Sequence, residues 1–233
     1  MIPGNPIFCA LDTTDVTRAV ALARGLKGSV GGAKIGMEFF NAHGPAGYRA
    51  VAEAGLPIFL DLKLHDIPNT VAGGIRAVLP LEPAIVNIHT AGGGAMMRAA
   101  AEAAREAGDR RPLIIGVTLL TSLDETDLAA TGVGGTASDQ VRRLAGLAAD
   151  AGLDGVVCSA HEIEILRRDL GRDFKLIVPG IRPAGSAIAD QKRVMTPTEA
   201  LALGADVLVI GRPITGAGNP RAAADEIVRS LAA

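Results

Sequence analysis

Eight short apolar runs, each followed by an Ala- and Leu-rich stretch, constrain this chain more than any other feature. The runs are Ile7–Leu11, Ala33–Gly36, Ile58–Leu62, Ile85–His89, Leu113–Thr118, Gly155–Cys158, Leu176–Val178 and Val207–Ile210. Their apolarity is continuous rather than alternating, the pattern of strands covered on both faces. Between them lie helix signals. Asp15 or Thr14 can cap a helix whose apolar positions Val16, Ala19, Val20 and Ala23 recur at helical spacing. Met96–Ala107, Ser138–Ala151 and Pro220–Leu231 read the same way, and Gly108 and Gly152 are placed to stop two of them. Strand and helix alternating eight times over 233 residues predict an α/β chain folded as a (β/α)8 TIM barrel, for which about 250 residues is typical. An open doubly wound sheet would carry a glycine-rich turn after its first strand. Here that turn reads Leu11-Asp12-Thr13-Thr14-Asp15. No linker, charge block or low-complexity segment divides residues 1–233, so one domain is expected.

Charge and composition exclude several partners. Lys and Arg number 23 against 25 Asp and Glu, a net charge of −2 that argues against an electrostatic nucleic-acid binder. Aromatics are 3% of the chain, with one Tyr and no Trp, too few for base-stacking platforms. No apolar run approaches the roughly 18 residues that span a bilayer. The first residues, Met1-Ile2-Pro3-Gly4-Asn5-Pro6, lack the basic and apolar regions of a signal peptide. Cys9 and Cys158 both sit in apolar runs and read as buried thiols of a reducing compartment. A cytoplasmic protein with neither nucleic-acid nor membrane partner is expected.

Barrel chemistry gathers at the C-terminal ends of strands. The first run ends in Asp12, the second carries Lys34, and the third continues into Asp61-Leu62-Lys63-Leu64-His65-Asp66. Alternation places Asp61 and Lys63 on one side, with Asp66 at the turn, where Pro68 suits a first helical turn. Burying so many charges costs several kcal/mol per ion before pairing offsets it. An ion-pair network that only fixes the barrel mouth is the competing reading, but charges at three successive strand ends favour a reactive site. The seventh and eighth runs lead into Pro179-Gly180-Ile181-Arg182-Pro183 and Ile210-Gly211-Arg212-Pro213. Loops at these two ends of a barrel commonly bind phosphate, through close-approaching backbone N–H groups and an arginine fork. Gln191, in the loop after Arg182, can add amide donors. The long connection from Leu119 to Thr136 is a candidate lid. Neither the four histidines, His43, His65, His89 and His161, nor the two cysteines fall at metal-ligand spacing, so no metal site is expected. His65 reads as a structural imidazole.

The run Asp61-Leu62-Lys63-Leu64-His65-Asp66-Ile67-Pro68-Asn69-Thr70 resembles the signature of the orotidine 5′-phosphate decarboxylase family. Ala10-Leu11-Asp12, Lys34-Ile35-Gly36, Leu120-Thr121-Ser122, Asp190-Gln191 and the two Gly/Arg segments extend the similarity over essentially the whole chain. The resemblance implies cofactor-independent decarboxylation of orotidine 5′-phosphate, the final step of UMP synthesis. It implies that Lys63 protonates C6, that Asp61 lies against the departing carboxylate, and that Lys34 holds Asp61 and the ribose hydroxyls. Asp12 would bind ribose, Thr121 lie near the base, and Gln191 bridge base and phosphate. Gly211 and Arg212 would grip the phosphate while Arg182 supports the closing seventh loop. Asp66, Ile67 and Thr70 would reach the neighbouring site of a homodimer. Two alternatives remain. One is a magnesium-dependent sugar-phosphate decarboxylase or aldolase, which shares the Asp-x-Lys-x-x-Asp pattern but has an acidic metal ligand where Lys34 stands. The other is a non-catalytic phosphate-binding barrel.

Overall fold

A computed structural model describes residues 4–183 and 195–231. Eight parallel strands close into a barrel in sequence order: β1 (Ile7–Ala10), β2 (Gly32–Gly36), β3 (Ile58–Leu64), β4 (Ile85–His89), β5 (Leu113–Val117), β6 (Gly155–Val157), β7 (Lys175–Pro179) and β8 (Val207–Ile210). Cys9 lies opposite Ile210, which joins the first strand to the last. The α-helices are α1 (Val16–Leu26), α2 (Met37–Ala52), α3 (Pro68–Val78), α4 (Gly93–Arg105), α5 (Glu125–Ala130), α6 (Ala137–Asp150), α7 (Ile163–Leu170), α8 (Pro197–Leu203), α9 (Arg212–Thr215) and α10 (Pro220–Ser230). The (β/α)8 expectation is met.

The two-sided apolarity of the strands divides into two cores. Phe8, Phe59, Ile85, Ile115, Ile177 and Val207 point inward and fill the barrel. Their neighbours Cys9, Leu60, Val86, Ile114, Val178 and Leu208 point outward, under the helices. Gly32 is where the inner packing requires a missing side chain. A Cβ there would stand 2.3 Å from the buried Phe8 ring.

Local signals set the element ends. The Asp15 carboxylate accepts the Arg18 N–H at 3.1 Å and starts α1. Gly108 and Gly152, just past α4 and α6, take φ of +57° and +80°. The connection from Leu119 to Thr136 contains α5, a helix the sequence reading passes over. Its signal is Asp124, which caps the helix while Asp127 bonds back to the Asp124 N–H.

The N-terminal end of the barrel is closed by two carboxylates standing just before β6 and β8. Asp154 accepts the Ile114 N–H at 2.8 Å and a two-pronged contact from Arg111 at 2.7 and 2.9 Å. Asp206 accepts the Leu176 N–H at 2.8 Å and pairs with Arg167. These braces leave the opposite end, where the strands finish, for polar side chains with another purpose.

Candidate active site

Inward positions that are apolar at the base of the strands become charged at their tops. Lys34 follows Gly32 on the inner face of β2, Asp61 follows Phe59 on β3, and Asp12 lies just beyond β1. The result is a row of alternating charge. Lys34 Nζ stands 3.2 Å from Asp12 Oδ1 and 3.2 Å from Asp61 Oδ2, and Lys63 Nζ stands 2.6 Å from Asp61 Oδ1. The middle of the row is desolvated. The side chains of Asp61 and Lys34 are 10% and 12% exposed, against 26% for Lys63 and 62% for Asp12.

The pairing decides the charge states. Burial alone would push the Lys34 ammonium towards deprotonation, but the Asp61 and Asp12 carboxylates outweigh it and hold the pKa above the ordinary lysine value. Burial alone would raise Asp61, but Lys34, then Lys63, then hydrogen bonds from Lys63 and Asn87 hold it below the usual carboxylate range. The centre is therefore an ionised carboxylate between two lysines.

Lys63 reaches this row by a route other than regular alternation. Leu60 pairs with Val86 and Leu64 with Ile88, so Asp61, Leu62 and Lys63 together face Asn87 alone. This bulge puts Lys63 at φ +52°, in the left-handed region that costs a non-glycine residue about 1–2 kcal/mol. Such strain persists only where surrounding contacts over-determine it, typically at functional sites. Because the bulge breaks the alternation of β3, the side that His65 takes is not set by that of Asp61 and Lys63. His65 is exposed and its ring lies against that of His89, 5.4 Å between centroids and tilted by 40°. Burial, then His65 and Lys63, lower the His89 pKa.

A cavity of about 200 Å³ opens over the row. Lys34, Asp61, Lys63 and Asn87 line one side, and Val117, Val157, Ile177, Pro179 and Val209 line the other. Leu119, Leu120 and Thr121 bring the start of the long connection to its rim. Past β8, Gly211 caps α9, and a Cβ on it would come within 3.6 Å of Asp12 Oδ2, so its backbone borders the row. Arg212 follows it at the exposed start of α9. Past β7, Gly180 takes φ +76°, and Arg182 is buried. The Arg182 backbone N–H donates to the Met195 carbonyl at 3.1 Å. Gln191 lies outside the described residues.

Asp66, Ile67 and Thr70 stand apart from the row, on exposed backbone at the start of α3. Asp66 Oδ1 accepts the Ile67 N–H at 2.6 Å. Within one chain, the lysine held between two carboxylates is therefore Lys34, and Lys63 has Asp61. Sequence reasoning missed Asn87. Its signal was a polar side chain inside the apolar run Ile85–His89, which has to find partners once buried. Among the described residues, no three His, Cys, Asp or Glu side chains are grouped to hold a metal ion. No helix among them is long and apolar enough to cross a membrane.

Residues 5–227 match the model of the orotidine 5′-phosphate decarboxylase / HUMPS family. The chain belongs to that family. The orotidine 5′-phosphate decarboxylase of Rhodospirillum rubrum is 60% identical over 94% of this chain and 91% of its own length. That of Novosphingobium aromaticivorans is 55% identical over 98% of this chain and 100% of its own. Among solved structures, the orotidine 5′-phosphate decarboxylase of Lactobacillus acidophilus superposes with a TM-score of 0.87 at 34% identity, covering 98% of this chain and 100% of that one. Family membership leaves each side chain's part in the chemistry to be argued from geometry.

Proposed function

We propose that this chain decarboxylates orotidine 5′-phosphate to UMP and carbon dioxide without a cofactor, in pyrimidine nucleotide synthesis. The observation that carries the reading is the row Asp12–Lys34–Asp61–Lys63 beneath a cavity of nucleobase scale, in a chain of this family. Breaking the bond from C6 to the carboxylate leaves its electron pair on C6, as a vinyl carbanion with no cofactor to delocalise it. The Lys63 ammonium, aimed at that carbon, stabilises the developing charge and then transfers a proton to C6. Water reprotonates the lysine. Asp61 lies against the departing carboxylate, and the apolar wall of Val117, Val157 and Ile177 accommodates neutral carbon dioxide better than an anion.

Asp12 and Lys34 bind the ribose hydroxyls, and Thr121 and Gln191 address the base. Gly211 and Arg212 bind the phosphate, with Arg182 supporting the loop after β7. Binding energy from the remote phosphate is available for closing the site over the reacting carbon. The assembly is a homodimer in which Asp66, Ile67 and Thr70 complete the neighbouring site, and the enzyme works in the cytoplasm. The position from which a metal-dependent relative would hold magnesium carries the Lys34 ammonium, which repels a cation.

The test is loss of orotidine 5′-phosphate absorbance with purified protein in excess EDTA. Rapid conversion to UMP is expected. Silence there, with turnover of a ketose or gulonate phosphate once magnesium is restored, would replace this reading with the sugar-phosphate one. Tight binding of a nucleotide monophosphate without any turnover would leave a phosphate-binding barrel.

A further inference from the structure

The bulge that carries Lys63 has a single counterpart on the next strand. Three residues of β3 oppose Asn87, so the ladder offers Lys63 no regular backbone partner there. Asn87 Oδ1 takes the Lys63 N–H instead, at 2.8 Å. The same amide donates through Nδ2 to Asp61 Oδ1 at 2.7 Å, the oxygen that also receives Lys63 Nζ. Asn87 is 1% exposed and faces the barrel interior, while its chain neighbours Val86 and Ile88 face outward under the helices. One planar group thus holds both ends of the Asp61–Lys63 segment.

We propose that Asn87 is the positioning residue of the proton donor, fixing Lys63 in its left-handed conformation and orienting the Asp61 carboxylate beneath it. This rests on the reading of Lys63 as the donor to C6. The task needs an acceptor for the Lys63 N–H and a donor for Asp61 on one short side chain. An amide supplies both, an ionised carboxylate supplies only acceptors, and an aliphatic side chain supplies neither. Without the amide, Lys63 is free to leave its strained conformation and its Nζ loses its aim. Misplacing a catalytic group by about 1 Å costs on the order of a hundredfold in rate. The assigned ribose and phosphate contacts at Asp12, Gly211 and Arg212 follow β1 and β8, and Asn87 touches none of them.

The experiment compares wild type, Lys63→Ala, Asn87→Ala and Asn87→Asp in the decarboxylation assay, with folding checked by circular dichroism. Asn87→Ala should lower kcat by about thirtyfold or more and move KM by less than about threefold. In Asn87→Asp the introduced carboxyl can donate to Asp61 only while protonated. Its kcat relative to wild type should therefore fall about tenfold or more from about pH 5.5 to about pH 8. Asp61 and Lys63 on β3, Lys34 on β2, His89 on β4 and the neighbouring His65 are common to both enzymes, while Ile115 and Val117 of the adjoining β5 do not titrate. The ratio therefore reports the introduced carboxyl together with the Asp61 and Lys63 it couples to, and a packing defect alone would not make it follow pH. Should Asn87→Ala fail to fold, the pH dependence of the isosteric Asn87→Asp decides.

A folded Asn87→Ala with kcat within about threefold of wild type, or a raised KM at unchanged kcat, overturns the proposal. A folded Asn87→Asp whose kcat stays within about threefold of wild type across that range does the same. If wild type turns over and Lys63→Ala does not, those results sink the positioning role alone. An inactive wild type, or a Lys63→Ala variant with normal kcat, sinks the underlying reading as well.

Discussion

Lys34 carries its charge where burial works against it, and two carboxylates hold it there. The dependence is mutual, because the Lys34 charge is the largest single influence that keeps Asp61 ionised against its own burial. Two pH limits follow. The depressed Asp61 stabilises the fold above the ordinary carboxylate range, and this is lost as pH falls through its folded-state pKa. The raised Lys34 stabilises the fold below the ordinary lysine value, and this is lost as pH rises through its own. Replacing Lys34 by Gln removes a cation from beside Asp61, so the Asp61 pKa moves up and protonation begins at higher pH. The acid limb of the kcat/KM profile should shift to higher pH in Lys34→Gln, and the acid limb of thermal stability should shift with it. Matched profiles for the variant and wild type would show that Asp61 does not depend on Lys34.

At the scale of strands and helices, the barrel separates its stabilising charges from its reactive ones by end. Asp154 stands before β6, accepts the Ile114 N–H and pairs with Arg111, at the end opposite the row. Asp154→Ala leaves that N–H without its side-chain acceptor, at about 1–3 kcal/mol, and loses a part-exposed ion pair worth about 1 kcal/mol or less. For a chain of this size, Tm should fall by roughly 2–16 °C. The kcat of the folded variant should equal that of wild type, and a large loss of kcat would mean that the brace reaches the site. The same division explains what could be read in the sequence. Strands such as β4 and β8 were legible because burial on both faces leaves a continuous apolar run. Asp12, Lys34 and Asp61 were legible because charge at successive strand ends is conspicuous. The bulge in β3 was not, since an extra pair of residues in a strand changes pairing without changing residue type. Asn87 was hidden with it, as its partners exist only once the bulge has formed. α5 escaped for another reason: it is a single short helix whose capping carboxylates resemble ordinary loop polarity.

In the whole molecule, the proposed dimer can be tested at the exposed surface that precedes α3. Ile67 is 67% exposed, more than any other large apolar side chain among the described residues, and it lies between the exposed Asp66 and the start of α3. If two copies meet here with twofold symmetry, the contact is self-complementary and each copy lends its Asp66 to the other's Lys63. Lys63→Ala and Asp66→Ala homodimers should then each be severely impaired, for different reasons at the same site. Mixing them in equal amounts, under conditions that exchange subunits, makes half of the dimers mixed. Each mixed dimer has one site carrying both lesions. Its other site has an intact Lys63 from one copy and an intact Asp66 from the other. About a quarter of wild-type activity should return, because half of the dimers hold one sound site in two. Sites built within single chains would give no recovery on mixing, and co-purification of an untagged variant with a tagged one would separate that outcome from a failure to exchange.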